Sequence, residues 1–135
     1  MLTEETRALT ERFLDARSTA DPAAIAPFLA EDVTWSTPPS LNIGLLTGRD
    51  IVADALSGKA AGKYMRVETI RRELVRLFVD EDTAVARTRM TAKTLEDVDY
   101  ANEYVWIYTW RDHQLATLDE FTDTLHAARC GFVKL

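Results

Sequence analysis

The side chains best suited to chemistry lie near the C-terminus, in two segments that alternate as β-strands do. Asn102, Tyr104 and Trp106 stand two residues apart, so their side chains should share one face of a strand. On the next strand, Glu120 can share that face while its two neighbours point away. The sequence therefore predicts a β-hairpin over about residues 98–124 that turns these four side chains toward a small-molecule pocket.

Large rings with a polar tip suit the wall of a pocket that holds an apolar ligand and offers it a few hydrogen bonds. The same spacing also fits an aromatic core stripe packed under helices, and the sequence leaves both interpretations open. On the preceding strand, Arg87 and Arg89 share one face, and Thr88 and Met90 share the other. Alternation alone does not decide which of these two faces points inward.

The elements that must position this hairpin follow from spacing and from turn residues. Apolar residues that recur at three- and four-residue intervals predict an amphipathic first helix after the N-cap candidate Thr3. A second helix is predicted from Asp21 to Ala30, with Pro27 shortening or bending it. The other predicted elements are a strand over 33–37, a third helix over 51–57 with a capping box over 47–50, and strands over 64–79, 83–94, 98–110 and 115–124. This order, ααβαββββ, predicts an α+β fold in which three N-terminal helices pack on one face of a strongly curved antiparallel sheet.

Composition narrows the classes of protein that fit. A chain of 135 residues with 47% hydrophobic content suits one domain over residues 1–135. A net charge of −6 and a pI near 4.9 disfavour nucleic acid and anionic membranes as partners. The acidic N-terminal segment lacks the apolar stretch of a signal peptide, and no apolar run reaches membrane-spanning length, so a cytoplasmic location is predicted. Cys130 is the only cysteine and the two histidines are isolated, so no disulfide, metal or other cofactor is expected.

Four segments resemble the nuclear-transport-factor-2-like superfamily, and within it the SnoaL-like cyclases and limonene-epoxide hydrolases. They begin at Ala30, Gly48, Asn102 and Asp119 and read AEDVTW, GRDIVADAL, NEYVWIYTWRD and DEFTD. The resemblance implies a cone of three helices and a curved sheet around one pocket, often as a dimer through the sheet. Members of the superfamily include isomerases, dehydratases, cyclases, hydrolases and non-catalytic binders, so the fold alone does not settle the function.

The resemblance argues against steroid isomerase chemistry. A ketosteroid isomerase uses a tyrosine, a general-base aspartate and a protonated aspartate that donates a hydrogen bond. The positions in this chain that look equivalent hold Phe13, Thr37 and Trp106. Because none of these side chains can transfer a proton in that scheme, the chain is not expected to be an isomerase of this type.

Epoxide hydrolysis of the limonene type fits little better. Such an enzyme activates a water with an Asp-Arg-Asp set, helped by a tyrosine and an asparagine. The equivalent positions hold Arg87, Glu120, Trp35 and Thr37, with Arg89 in place of one aspartate. Concerted acid and base catalysis needs two titratable groups. Arg89 cannot be one of them because its guanidinium stays charged.

The remaining catalytic interpretation is a Glu120 carboxylate flanked by Arg87 and Arg89. A guanidinium within about 4–6 Å lowers a carboxylate pKa, so Glu120 is expected to be an ionised general base. The arginines would stabilise developing negative charge, and Asn102 or Tyr104 would hold the substrate. The alternative is an internal Glu120–Arg87 ion pair that only satisfies buried charge.

Two functional hypotheses follow. The first is a cofactor-independent isomerase, cyclase, dehydratase or hydrolase that acts on a small, mainly apolar molecule. The second is a non-catalytic module that binds a hydrophobic ligand or mediates dimerisation. Substrate contacts are expected from Trp35, Thr37, Asn102, Tyr104, Trp106 and Phe13. The apolar outer sheet face, with Val105, Ile107 and Phe121, predicts a homodimer.

Overall fold

The computed structural model describes residues 1–59 and 61–131. Over these residues the chain forms four α-helices and one twisted sheet of six strands. The helices are α1 (Thr3–Ser18), α2 (Pro22–Ile25), α3 (Arg49–Leu56) and α4 (Thr124–Arg129); the strands are β1 (Leu29–Ser36), β2 (Leu45–Thr47), β3 (Arg71–Asp80), β4 (Thr83–Lys93), β5 (Asp99–Arg111) and β6 (Gln114–Thr122).

The sheet has six strands in the order β2-β1-β6-β5-β4-β3. Strands β3 to β6 form an antiparallel meander, and β2 pairs antiparallel with β1. Strand β1 pairs in parallel with β6. The two N-terminal strands, β1 and β2, therefore extend the sheet beyond β6, with β2 at its edge. The N-terminal helices pack on this curved sheet, which confirms the predicted α+β fold class.

Aromatic side chains fix α1 against the inner sheet face. The ring of Phe13 meets the rings of Tyr108 and Trp110 edge to face, at centroid distances of 5.5 and 6.3 Å. The indole Nε1 of Trp110 donates a hydrogen bond of 3.0 Å to the hydroxyl of Thr10 on α1. All four side chains are fully buried or nearly so. Burial of each large apolar side chain stabilises the fold by roughly 1.5–3 kcal/mol.

Several predicted helix boundaries are wrong, each for a local reason. Leu2, and not Thr3, is the N-cap of α1, because the Thr3 hydroxyl instead accepts a hydrogen bond from the backbone N–H of Glu81. Helix α2 ends at Ile25, and a 3-10 turn that contains Pro27 leads directly into β1. The predicted capping box of α3 is absent, since the N-cap is Gly48, which has no side chain to accept a hydrogen bond.

The strand predicted over 64–79 is shorter than expected. Residues 61–63 and 67–69 form 3-10 turns, and β3 begins only at Arg71. The short strand β2 and helix α4 are not among the predicted elements. Helix α4 begins after Asp123, whose carboxylate accepts a hydrogen bond from the backbone N–H of His126. No helix within the described residues has the length and apolar character needed to cross a membrane.

Candidate active site

A cavity of about 220 Å³ lies between the inner sheet face and the helices. Its walls are mainly aromatic and aliphatic, with a small number of charged groups. The charged and aromatic residues of the lining include Arg17, Trp35, Lys63, Arg72, Tyr100, Tyr104, Trp106 and Glu120. Such a space, largely apolar with a few polar groups, is typical of small-molecule sites.

Strand β5 supplies the aromatic wall. Its alternate side chains face inward, so the rings of Tyr104, Trp106 and Tyr108 lie in a row, with neighbouring centroids 6.5 and 6.0 Å apart. Trp35 on β1 adds a further ring, 5.6 Å from that of Trp106. Tyr104 and Trp106 point inward and lie on the cavity wall together with Trp35.

Glu120 is the acidic group of this cavity. It lies on β6 directly opposite Trp106, and its side chain is buried. Among the described residues it has no hydrogen-bond or ion-pair partner. Burial raises the pKa of Glu120 to about 7, and the charges of Arg17 and Arg72 oppose that rise only in part. The expectation that nearby cations would dominate and lower this pKa is wrong, because the nearest cations form no ion pair with the carboxylate.

Arg17 is the cation most enclosed by the fold. It lies in the last turn of α1, where its positive charge interacts favourably with the negative end of the helix dipole. Its guanidinium carbon stands 4.3 Å from the centroid of the Trp106 ring, in a cation–π contact. Only 6% of the residue is exposed, and its Nε has no hydrogen-bond partner among the described residues.

Arg72 lines the same cavity from β3. The residue as a whole keeps contact with solvent, although its guanidinium stands near the enclosed groups. Burial lowers the pKa of Arg72 to about 9, and the like charge of Arg17 adds to that decrease. Because this value remains above neutrality and solvent reaches the side chain, Arg72 is positively charged at pH 7.

Arg87 and Arg89 are not part of the cavity, which corrects the prediction that they flank Glu120. Both are exposed on the outer sheet face, since Thr88 and Met90 take the inward positions of β4. Arg87 Nη2 bonds both carboxylate oxygens of Glu103, at 2.9 and 3.0 Å. The predicted Glu120–Arg87 ion pair therefore does not form.

Three of the predicted substrate contacts, Phe13, Thr37 and Asn102, are buried but do not line the cavity. Phe13 packs in the aromatic core, and the Thr37 hydroxyl donates a 3.0 Å hydrogen bond to the carbonyl of Gly44. These two side chains shape the walls from behind.

Asn102 supports a pair of cavity tyrosines. Its amide nitrogen donates to the hydroxyl of Tyr100 at 2.9 Å and to the carbonyl of Asp123 at 3.0 Å. The hydroxyls of Tyr100 and Tyr104 are 2.7 Å apart. Asn102 thus holds a neutral hydroxyl pair on the wall. Burial raises the pKa of Tyr104, which keeps its hydroxyl protonated.

The sequence interpretation missed Arg17, Arg72 and Tyr100. Arg17 lies one helical turn after Phe13, so the inward stripe of α1 could have identified it. For metal binding, the described part of the chain contains no group of three or more His, Cys, Asp or Glu side chains placed to hold an ion.

Comparison with known proteins identifies a family whose sequence pattern matches this chain. Residues 10–118 match the SnoaL-like domain family. No curated protein sequence matches the chain.

Three solved structures illustrate the likeness in fold. An NTF2-like protein from Burkholderia xenovorans is 21% identical, with a TM-score of 0.78 over 96% of this chain and 98% of that chain. PrhC from Penicillium brasilianum is 18% identical, with a TM-score of 0.78 over 95% and 86%. TerC, co-crystallised with polyporic acid, is 16% identical, with a TM-score of 0.76 over 90% and 96%. At these identities the likeness establishes the fold alone.

Proposed function

This chain belongs to the family of SnoaL-like domains, and from that membership we propose that it is a cofactor-independent enzyme with Glu120 as its general base. Its substrate is a small, mainly apolar molecule that fits the cavity. The observation that carries the proposal is the buried Glu120 carboxylate, which has no hydrogen-bond or ion-pair partner among the described residues and has a pKa near 7. A general base works best when its pKa lies near the operating pH.

The proposed reaction begins with removal of a proton from a carbon next to a carbonyl group. The proton moves to the Glu120 carboxylate, and the electron pair of the broken C–H bond moves to the carbonyl oxygen. Arg17 and Arg72, which line the same cavity, would stabilise the resulting negative charge. Return of the proton to a different carbon gives an isomer. Attack of the enolate carbon on a second carbonyl carbon, whose oxygen then takes the proton from Glu120, closes a ring as a cyclase does. Departure of a hydroxyl group on the neighbouring carbon, which takes the proton from Glu120 and leaves as water, gives a dehydratase.

The composition of the cavity walls favours an apolar, ring-containing substrate. Trp35, Tyr104 and Trp106 offer flat faces for stacking. TerC shares the fold and was co-crystallised with polyporic acid, which is consistent with a small-molecule ligand in this chain as well.

A proton-abstraction assay that does not require the natural substrate tests the proposal. In 5-nitrobenzisoxazole, a base removes the ring C–H proton, the N–O bond breaks and a coloured cyanophenolate forms. We expect the purified protein to accelerate this ring opening, with a rate that rises as the pH passes through about 7. Glu120→Gln should lower the rate by about a hundredfold or more.

Glu103→Gln is the matched control. Glu103 is an exposed carboxylate on the outer sheet face, so this variant should keep the full rate. Equal rates for the wild type and Glu120→Gln would refute the base role. A protein that binds the compound without opening its ring would instead support the second hypothesis, a non-catalytic hydrophobic-ligand-binding module.

We also propose that two copies of the chain pair through the outer sheet face. Val105 and Phe121 lie opposite each other on β5 and β6 and are 38% and 54% exposed. Phe78 on β3 is 52% exposed. Side chains of this size on one open sheet face favour burial against a second apolar surface.

A further inference from the structure

Three buried polar atoms in or beside the cavity lining have no hydrogen-bond partner in the part of the chain that the structure describes. Among the described residues, Arg17 Nε, Trp35 Nε1 and the hydroxyl of Tyr108 are buried without a hydrogen-bond partner. Arg17 and Trp35 line the cavity. Buried polar groups nearly always have a partner, so two unpartnered donors on residues that line the same cavity favour an acceptor that the protein itself does not supply.

These groups converge on the ring of Trp106. The guanidinium of Arg17 lies over that ring at 4.3 Å, and the ring centroids of Trp35 and Tyr108 are 5.6 and 6.0 Å from it. Arg17 also acts on Tyr108, where its charge and its approach to the hydroxyl as a hydrogen-bond donor partly offset the rise in the pKa of Tyr108 that burial causes. The Tyr108 hydroxyl nevertheless makes no hydrogen bond of good geometry. A flat aromatic floor is thus bordered by donors and by a fixed positive charge.

The charge balance of the cavity is opposite to that of the protein. The chain carries a net charge of −6, whereas the described cavity lining contains the cations Arg17, Lys63 and Arg72 against one carboxylate, Glu120. A positively charged cleft in an acidic protein concentrates anions and repels cations. Guanidinium groups bind carboxylates and related oxyanions with particular strength.

We infer that the Trp106 end of the cavity is an oxyanion subsite, which takes the delocalised oxyanion of a planar aromatic or conjugated molecule. Arg17 supplies the charge and an N–H donor, Trp35 supplies a second N–H donor, and the aromatic lining residues Trp35, Tyr104 and Trp106 contact the planar body. The inference rests on the proposed function in that both place a small molecule in this cavity. It adds the ligand class, an aromatic or conjugated acid in its ionised form.

A pair of probes that differ in charge tests the subsite. We would titrate the full chain by calorimetry with 2-naphthoate and with the neutral 2-naphthamide, which has nearly the same shape. The expected result is naphthoate binding tighter than naphthamide by about tenfold or more. Equal affinities, or no measurable binding of naphthoate, would overturn the inference.

Variants distinguish anion binding at this subsite from a general preference of the protein for anions. Arg17→Gln should reduce the preference for naphthoate to about twofold or less, and Trp35→Phe, which keeps a ring but removes the N–H, should weaken naphthoate binding several-fold. Arg87→Gln removes an exposed arginine of the outer face and should leave both affinities unchanged. A preference that persists in both Arg17→Gln and Trp35→Phe contradicts the assignment, and the second variant keeps the test decisive if the first does not fold.

The two proposals fail separately. If naphthoate is preferred but 5-nitrobenzisoxazole is not opened, the subsite stands and the general-base role of Glu120 fails. If the ring is opened in a Glu120-dependent manner without any preference for naphthoate, the base role stands and the subsite fails.

Discussion

Glu120 and Trp106 face each other across the β5–β6 ladder, so a carboxylate and an indole share one wall of the cavity. Glu120 is buried in this wall, and the only counter-charges among the described neighbours are two arginines that do not pair with it. Desolvation therefore outweighs the attraction of the arginines, and the pKa of Glu120 lies near neutrality. This relationship generates the first prediction.

Replacement of Glu120 by Gln should stabilise the protein above neutral pH. The pKa of Glu120 is raised from 4.5 to about 7 in the folded state, so its contribution is fully present below pH 4.5 and is lost as the pH rises through 7. Gln keeps the size without the charge. In urea unfolding, Glu120→Gln should gain about 2–3 kcal/mol over the wild type at pH 8 and almost nothing at pH 4.5.

The control for this measurement is Glu103→Gln. Glu103 lies on the outer face in an exposed pair with Arg87, so its stability difference from the wild type should be small. A stability difference for Glu120→Gln that is the same at pH 4.5 and pH 8 would contradict the raised pKa.

Removal of the Thr10 hydroxyl should destabilise the contact between α1 and the sheet. That hydroxyl accepts from Trp110 Nε1 at 3.0 Å and donates to the carbonyl of Thr6 at 2.7 Å. Thr10→Val leaves the buried indole N–H without a partner and should cost about 1–3 kcal/mol in denaturant unfolding. Thr10→Ser keeps the hydroxyl and should cost clearly less; equal losses for both would show that the hydrogen bond contributes little.

Pairing through the outer sheet face predicts a change in mass on substitution of Phe121. Light scattering should give twice the chain mass of 15.2 kDa for the wild type at micromolar concentration. Phe121→Glu should give the mass of a single chain, because a charge would replace an exposed apolar ring in the contact. Ile51 on α3 is similarly exposed, so Ile51→Glu should leave the mass unchanged. A wild-type mass of 15.2 kDa would contradict the dimer.

The sequence predicts the hairpin well because strand alternation is a local property. The two-residue spacing of Tyr104, Trp106 and Tyr108 determines a shared face whatever the tertiary structure, and the size and hydrophobicity of these rings favour the inward side. Glu120 follows from the same argument, because its neighbour Phe121 takes the outer face.

Local alternation could not orient β4, because both of its faces hold plausible inward residues. The choice is made by the partner strand: Thr88 lies opposite Tyr104, and Met90 lies opposite Asn102, both of which point inward. Arg87 and Arg89 therefore point outward. Information of this kind lies in the pairing register, which a single sequence does not state.

The sequence does not identify the cations of the site, because they are far from Glu120 along the chain. Arg17 comes from the end of α1 and Arg72 from the start of β3, and only the tertiary fold brings them into one cavity with Glu120. An arginine in the last turn of a helix is usually explained by the helix dipole, so its type and position alone did not mark it as part of a cavity.

Substitution of Arg17 should change the titration of Glu120 in a direction that the structure fixes. The positive charge of Arg17 is the larger of the two influences that hold the pKa of Glu120 down against burial. In Arg17→Gln that charge is absent, so the pKa of Glu120 should rise above its wild-type value near 7. The carboxyl carbon of Glu120, followed by NMR in carbon-13-labelled protein, reports this shift directly and does not depend on any catalytic activity.

Arg87→Gln provides the comparison, since Arg87 is an exposed cation on the opposite side of the sheet and solvent screens its charge. Its removal should leave the Glu120 midpoint where it is in the wild type. A midpoint that falls in Arg17→Gln would mean that Arg17 contributes more by excluding water from the carboxylate than by its charge. In that case the cavity would lose its main electrostatic reason to bind an oxyanion beside Trp106.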